Sequence, residues 1–189
     1  IKNYGGKLEF VFVGQLTDSK GVGRIIEAFK QIKDESRIGF IHFIGDGPER
    51  KKYEKLAQEA KLNYLFYGFL SKEEINRVLA TSHVILLPSE SEGFPKAVAE
   101  GANFGCIPIV SSVSSLPQYI TDSHNGFVMP SIDSRGLVEC IGALLSLTED
   151  DMFKIAHKAH TMGGKFTYNY YINRITGEIL NSGNKPMNA

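Results

Sequence analysis

The sequence has little of several features that mark particular classes of protein. It contains only two cysteines, Cys106 and Cys140, and both stand among apolar residues. We therefore expect buried free thiols in a reducing compartment rather than a disulfide or a metal site. Its 21 basic and 21 acidic residues cancel, which excludes a nucleic-acid or anionic-membrane surface formed by bulk electrostatics. No apolar run reaches the roughly 18 residues that a membrane span needs.

The length and the ends of the sequence favour one domain with a short tail. The 189 residues, 42% of them apolar, are enough for a single domain with a sizeable core. No signal peptide is recognisable, and the first residues lead straight into a strand, so we expect the chain to begin at a domain boundary. We predict the domain over residues 1–182 and a polar tail over residues 183–189.

Short apolar runs alternate with helical patterns along the chain. The runs typical of strands span residues 8–13, 38–44, 64–67, 84–87 and 107–110. Helices are predicted at residues 24–33, 48–61, 72–82, 137–146, 149–162 and 167–180, with one more opening at 93–95. The pair Gly163-Gly164 is expected to end the helix that starts at residue 149. This alternation predicts an α/β fold with a doubly wound, Rossmann-like parallel sheet.

A glycine-bearing loop, residues 14–23, follows the first strand. A strand, such a loop and a helix form the geometry of a phosphate site in an open α/β sheet. The dinucleotide fingerprint G-x-G-x-x-G does not follow this strand. Lys20 stands where a loop lysine can reach a diphosphate. The residues alone leave open whether it does so or is a solvated lysine near a helix start.

A second candidate anion site lies where the helix at 93–95 begins. Pro95 suits a first helical turn, because an N–H at that position would lack a partner in any case. The free N–H groups of a helix start and the helix dipole together attract anions. Glu92 stands just before this start, and Glu100 lies eight residues further on.

These two glutamates allow two interpretations. A phosphate at the helix start would lie between them, and carboxylates accept hydrogen bonds from sugar hydroxyls, so the arrangement suits a nucleotide sugar. Alternatively, Glu92–Lys96 and Lys96–Glu100 are surface pairs four residues apart, each worth a few tenths of a kcal/mol. The residues around Glu100 are small, which indicates close packing rather than a charged stripe and favours the first interpretation: Ala97, Ala99, Gly101 and Ala102.

The stretch resembles the E-x7-E signature of retaining glycosyltransferases of the GT4 type. The matching elements are PSESEGF at residues 88–94, Glu100, and IPIV at residues 107–110. Lys20-Gly21 after the first strand and GDGP at residues 45–48 after the second also match the family's usual pattern. The resemblance extends from about residue 8 to residue 180.

The resemblance implies the C-terminal, donor-binding half of a GT-B fold. It implies retaining, metal-independent glycosyl transfer from a nucleoside-diphosphate sugar, in surface polysaccharide or glycan synthesis in the cytoplasm. The donor is the substrate, and no other cofactor is expected. The expected partner is the missing N-terminal acceptor domain, and membrane association would occur only through it; no nucleic acid partner is expected. The last predicted helix, rich in aromatic and isoleucine residues, would pack partly against that missing half and should be under-buried here.

The resemblance also assigns roles to residues. Lys20 would stabilise the leaving diphosphate together with the helix start, and Glu92 would hold hydroxyls of the transferred sugar, so both are expected to be catalytic. Glu100 would hold the ribose hydroxyls. The other donor-binding candidates are the loop residues Gly14 and Gln15, the nucleobase wall Phe69 and Leu70, and the helix-start residues Gly93, Phe94, Lys96 and Ala97.

The sequence departs from the family's pattern at Gln15, where arginine is usual. Glutamine donates a hydrogen bond but carries no charge, so we expect weaker or different binding of the phosphates. Ser114, Ser115 and Gln118 also replace glycines and a glutamate that are common there. Two alternatives therefore remain open: a nucleotide-sugar 2-epimerase on a similar fold, or a non-catalytic nucleotide-sugar-binding or partner module.

Overall fold

The fold is a six-stranded parallel sheet with helices on both faces. It is taken from a computed structural model, which describes residues 2–93 and 96–180. The strands are β1 (Leu8–Val13), β2 (Ile38–Ile44), β3 (Tyr64–Gly68), β4 (Val84–Leu87), β5 (Ile107–Ser111) and β6 (Phe127–Met129). They lie in the order β3-β2-β1-β4-β5-β6, and every neighbouring pair is parallel. The predicted doubly wound α/β sheet is thereby confirmed.

The helices occupy the predicted stretches with shifted ends. They are α1 (Val22–Gln31), α2 (Arg50–Glu59), α3 (Lys72–Thr81), α4 (Lys96–Asn103), α5 (Leu116–Tyr119), α6 (Ser134–Leu145), α7 (Glu149–Gly164) and α8 (Tyr168–Arg174). A 3-10 turn, Asp18–Lys20, precedes α1, and a π-helical segment, Ile175–Leu180, continues from α8. Strand β6 and helix α5 were not predicted, because each is only three or four residues long and lacks a clear pattern.

The helix predicted over residues 149–162 ends at its glycine pair, as expected, although both glycines still belong to the last turn of α7. A Cβ added at Gly163 would lie 3.0 Å from the carbonyl oxygen of Ala99 and from the backbone nitrogen of Asn103. Gly163 therefore also permits the close contact of α7 with α4.

Both faces of the sheet are buried, which explains its nearly continuous apolar strands. Phe10, Phe12 and Phe43 pack on one face against α1, α2 and α6, and the rings of Phe10 and Phe29 meet edge to face at 4.8 Å. Burial of one such side chain contributes about 1.5–3 kcal/mol. The opposite face packs against α3, α4 and α7. Cys106 and Cys140 are buried free thiols, as predicted.

The strand order determines where a ligand can bind. The chain runs outward from β1 to β2 and β3, and then returns to the other side of β1 with β4. β1 and β4 are therefore neighbours at the point where the strand order reverses. In open α/β sheets, ligands bind in the crevice beyond the carboxyl ends of the strands at this point. The loops that carry Lys20 and Glu92 both leave the sheet there.

Helix α8 is poorly covered, as expected from its composition. Tyr168 is 76% exposed, and Tyr170 and Ile172 are also exposed. No helix in the described part of the chain combines the length and the apolar character that a bilayer crossing requires.

Candidate active site

Lys20 and Glu92, which come from two separate motifs, form an ion pair. Lys20 Nζ donates to Glu92 Oε1 at 2.8 Å. The Glu92 side chain is only 10% exposed, whereas that of Lys20 is 31% exposed. Glu92 therefore pairs across the reversal point of the sheet with Lys20, and the structure records no pair between Glu92 and Lys96 within the described residues.

The loops that carry this pair are in close contact. Gly21 has a positive φ of 82°, and a Cβ added there would collide with the carbonyl oxygen of Pro88. Arg24 Nη1 donates to the same carbonyl at 3.1 Å, and its guanidinium also pairs with Glu90. The backbone N–H of Glu90 donates to the carbonyl oxygen of Ser19 at 2.9 Å. A glycine after Lys20 is thus required for the two loops to meet, and only glycine adopts this conformation readily.

Serines after β5 brace the Glu92 loop from its other side. Ser111 Oγ donates to the carbonyl oxygen of Ser89 at 2.6 Å. The backbone N–H of Glu92 donates to Ser114 Oγ at 3.2 Å, and Ser115 Oγ donates to the carbonyl oxygen of Gly93 at 3.4 Å. The sequence marks Ser114 and Ser115 only as departures from glycine. Their bracing role depends on the neighbouring positions of β4 and β5.

Helix α4 is described from Lys96 onward, and the predicted contact residue Phe94, like Pro95, lies outside the described residues. Glu100 is paired with Lys96 at 3.8 Å, and its side chain is 35% exposed. The expected close packing is present, because Val98, Ala99, Gly101 and Ala102 are all buried. A Cβ at Gly101 would lie 2.7 Å from Ile85 Cδ1, so this face of α4 lies directly on β4.

A cleft of about 670 Å³ opens at the carboxyl ends of β1 and β2, and the loop that carries Lys20 contributes Gly14 and Gln15 to its lining. Its lining brings together four predicted residues from distant stretches: Gly14, Gln15, Phe69 and Leu70. Phe69 is 85% exposed, which leaves its ring available to a flat ligand. Asp46, from the GDGP stretch, also lines the cleft and was not predicted to do so.

Comparison with known proteins decides the family. The family described as "Glycosyl transferases group 1" matches residues 1–159. The chain belongs to this family.

Among curated group 1 relatives, the putative colanic acid biosynthesis glycosyltransferase WcaL of Escherichia coli K12 is 29% identical over 168 residues. This match covers 84% of the chain but 41% of WcaL. The WcaL of Salmonella typhimurium LT2 is 27% identical, over 95% of the chain and 46% of the relative. The chain thus spans less than half the length of these relatives.

Solved structures share the fold at low identity. The C-terminal domain of the group 1 glycosyl transferase LpcC of Francisella tularensis superimposes with a TM-score of 0.75 at 22% identity, covering 85% of this chain and 86% of that domain. HepE of Anabaena, crystallised with UDP and glucose, superimposes with a TM-score of 0.78 at 19% identity. The match covers 94% of this chain and 49% of HepE. The observed sheet is therefore one half of a GT-B fold.

The two loops at the reversal point are joined by two ion pairs, Lys20–Glu92 and Arg24–Glu90. Within residues 2–93 and 96–180, no group of three or more histidine, cysteine, aspartate or glutamate side chains is placed to hold a metal ion. The buried His42, on β2, is hydrogen-bonded to Glu9 and Tyr67 at 3.0 and 2.9 Å.

Proposed function

We propose that this chain is the donor-binding domain of a retaining, metal-independent glycosyltransferase that uses a nucleoside-diphosphate sugar. The observation that carries the proposal is that one loop after β1 both supplies Lys20 to the pair with Glu92 and lines an apolar cleft through Gly14 and Gln15. A cation suits the diphosphate, a carboxylate suits sugar hydroxyls, and an apolar cleft with an exposed ring suits a nucleoside. A nucleoside-diphosphate sugar contains all three of the groups that these features suit.

In the proposed complex the nucleobase lies in the cleft beside Phe69 and Leu70, with Gly14 and Gln15 at the wall nearest the phosphates. The diphosphate lies at Lys20 and at the start of α4, where Gly93, Lys96 and Ala97 contribute backbone groups. Glu92 takes hydroxyls of the transferred sugar, and Glu100 takes those of the ribose.

The proposed chemistry needs the diphosphate to leave. The bond from the anomeric carbon to the diphosphate oxygen breaks, and its electron pair stays on that oxygen. The acceptor hydroxyl oxygen bonds to the same face of the carbon, and its proton passes to the leaving diphosphate. Lys20, already positioned, stabilises the negative charge that develops on the leaving group. Stabilisation of developing charge by such preset groups is a large catalytic contribution.

The names of the relatives support a role in polysaccharide synthesis. WcaL is named for colanic acid and AmsK of Erwinia amylovora for amylovoran. We propose that the full protein builds a surface polysaccharide in the cytoplasm, with its acceptor held by a second domain.

Calorimetric titration with UDP, GDP and ADP tests the donor site: micromolar to millimolar binding of at least one is expected, and no binding of any would contradict the proposal.

Replacement of Glu100 is expected to weaken nucleoside binding. A carboxylate bonded to ribose hydroxyls contributes about 1.5–3 kcal/mol, so Glu100→Ala should lower UDP affinity about ten- to a hundredfold. The matched control is Glu59→Ala, since Glu59 forms the same i,i+4 pair with Lys55 at the same 3.8 Å. If both variants and the parent bind UDP with equal affinity, Glu100 forms only a surface ion pair and does not bind the ribose.

Replacement of Glu92 is expected to have opposite effects on two ligands. Its carboxylate competes with a diphosphate for Lys20, so Glu92→Gln should raise UDP affinity roughly three- to tenfold, the effect of about 1 kcal/mol. UDP-glucose should gain less, because its sugar loses the carboxylate. Glu90→Gln, in the same loop but paired with Arg24, is the control and should change neither. A fall in UDP affinity in Glu92→Gln would reject the competition.

A further inference from the structure

The turn that carries Lys20 is held by side chains from the beginning of α2. This turn has only three residues, Asp18–Lys20, and lies between β1 and α1. The backbone N–H of Asp18 donates to Glu49 Oε2 at 2.8 Å. The Asp18 carboxylate accepts from Tyr53 Oη at 2.7 Å and from Lys52 Nζ at 3.0 Å. Both the backbone and the side chain of Asp18 are therefore held by residues at the beginning of α2.

Tyr53 is the buried member of this network. It is fully buried, and it is one of only two buried residues that α2 contributes, the other being Ala57. Its hydroxyl lies 2.7 Å from Asp18 and 3.1 Å from Glu49 Oε2. A phenol has a single proton to donate, so the hydroxyl cannot neutralise two carboxylates. Lys52 Nζ lies within 3.1 Å of the carboxylates of both Asp18 and Glu49 and offsets their charge.

Ionisation does not disturb this arrangement near neutral pH. Burial, first, and the bonds to Asp18 and Glu49 raise the pKa of Tyr53, so the phenol keeps its proton. The bond from Tyr53, followed by that from Lys52, holds the pKa of Asp18 below its usual value, so the carboxylate stays charged. The Tyr53 hydroxyl therefore remains a hydrogen-bond donor, and the Asp18 carboxylate remains its acceptor.

The network leads directly to the donor site. The N–H of Gly21 donates to the carbonyl oxygen of Asp18 at 2.9 Å, and the N–H of Lys20 donates to that of Thr17 at 3.2 Å, which closes the turn around Lys20. From this turn the Lys20 side chain reaches Glu92. Phenylalanine would fill the same volume as Tyr53, so the hydroxyl is needed for the bonds to the turn rather than for packing.

We infer that Tyr53 is a positioning residue of the donor site, which fixes through Asp18 the turn that presents Lys20 to the diphosphate. The inference rests on the proposed function for its effect on ligand. Tyr53 is not among the residues that line the cleft, and its hydroxyl bonds to Asp18 and Glu49 rather than to Lys20 or Glu92. Its effect should thus appear at the phosphates and not at the nucleoside.

The test compares Tyr53→Phe with Tyr4→Phe. Tyr4 is also buried, but its hydroxyl donates to the carbonyl oxygen of Gly105 at 2.5 Å, just before the amino-terminal end of β5, so it serves as the matched control. Calorimetry with UDP and uridine should give a three- to tenfold loss of UDP affinity in Tyr53→Phe, with uridine affinity within twofold of the parent. Tyr4→Phe should change neither affinity, even where both variants melt earlier. An unchanged ratio of UDP to uridine affinity in folded Tyr53→Phe would overturn the inference.

A second readout separates this inference from the proposed function. Hydrogen exchange at the amides of Lys20 and Gly21 should be faster in Tyr53→Phe and unchanged in Tyr4→Phe, whether or not a nucleotide binds. Failure of the parent to bind UDP, GDP and ADP would remove the proposed function, whereas unchanged exchange would remove the anchoring itself. If Tyr53→Phe does not fold, Asp18→Ala, at a side chain 65% exposed, removes the same anchor and is expected to give the same results.

Discussion

The 189-residue chain alone is expected to bind a nucleoside diphosphate and to transfer no sugar. In the proposal, the acceptor is held by a second domain that closes over the donor. Holding two reactants together and aligned supplies about 7–11 kcal/mol of barrier lowering. A single donor domain forfeits most of this, so its transfer rate should be lower by a factor on the order of 10⁵ or more.

The measurement is a transfer assay with UDP-, GDP- and ADP-sugars, run with the chain alone and with a separately produced N-terminal half. Binding of the same sugar nucleotides, measured in parallel, is the control for a competent donor site. Transfer that requires both halves supports the proposal. Robust transfer by this chain alone would mean that it carries an acceptor site of its own. A 2-epimerised sugar nucleotide as product would identify the alternative enzyme class, and binding without transfer by the joined halves would identify a non-catalytic module.

Loss of the Lys20 charge should have the second largest effect. A charge-assisted bond to the diphosphate contributes about 1.5–3 kcal/mol, so Lys20→Ala should weaken UDP about ten- to a hundredfold and leave uridine unchanged. In the reconstituted enzyme the loss of kcat should be greater, about a hundred- to a thousandfold, because Lys20 stabilises the negative charge that develops as the diphosphate leaves. The exposed Lys55→Ala is the matched control and should behave as the parent.

Gln15 offers the converse change at the same site. It lines the cleft beside Gly14, and the resemblance to GT4-type enzymes implies an arginine at this position. In the proposed complex Gln15→Arg adds a charge next to the phosphates, so it should strengthen UDP binding but not uridine binding. Equal changes for UDP and uridine in the Lys20 and Gln15 variants would show that neither side chain faces the phosphates.

The fold could be predicted because its determinants are local. β1, β2, β4 and β5 are nearly continuous apolar runs, because both faces of the sheet are buried, and such runs can be recognised from residue types alone. β6 was not predicted, because a strand of three residues is too short to show an alternation of apolar and polar residues. The end of α7 at its glycine pair was predicted, whereas the contact of Gly163 with α4 was not, because it is a tertiary feature that no local pattern contains.

The site could be predicted only as separate motifs. Lys20 and Glu92 were singled out independently, but their pairing spans 72 residues and depends on β1 and β4 being neighbours. The anchor formed by Tyr53 and Asp18 was missed for a similar reason. Tyr53 lies in a helix whose other residues are largely polar and exposed. Nothing in its local sequence indicates a bond to Asp18, which lies in the loop between β1 and α1.

The central claim is that a nucleoside diphosphate binds across the Lys20–Glu92 pair and the neighbouring cleft. A crystal structure of this chain with UDP tests it most directly. The account predicts the distal phosphate within hydrogen-bond distance of Lys20 Nζ, with Glu92 displaced from that nitrogen. The uracil should lie against Phe69, and a ribose hydroxyl should bond to Glu100. UDP bound elsewhere on the chain, or bound with the Lys20–Glu92 pair intact and the cleft empty, would contradict it.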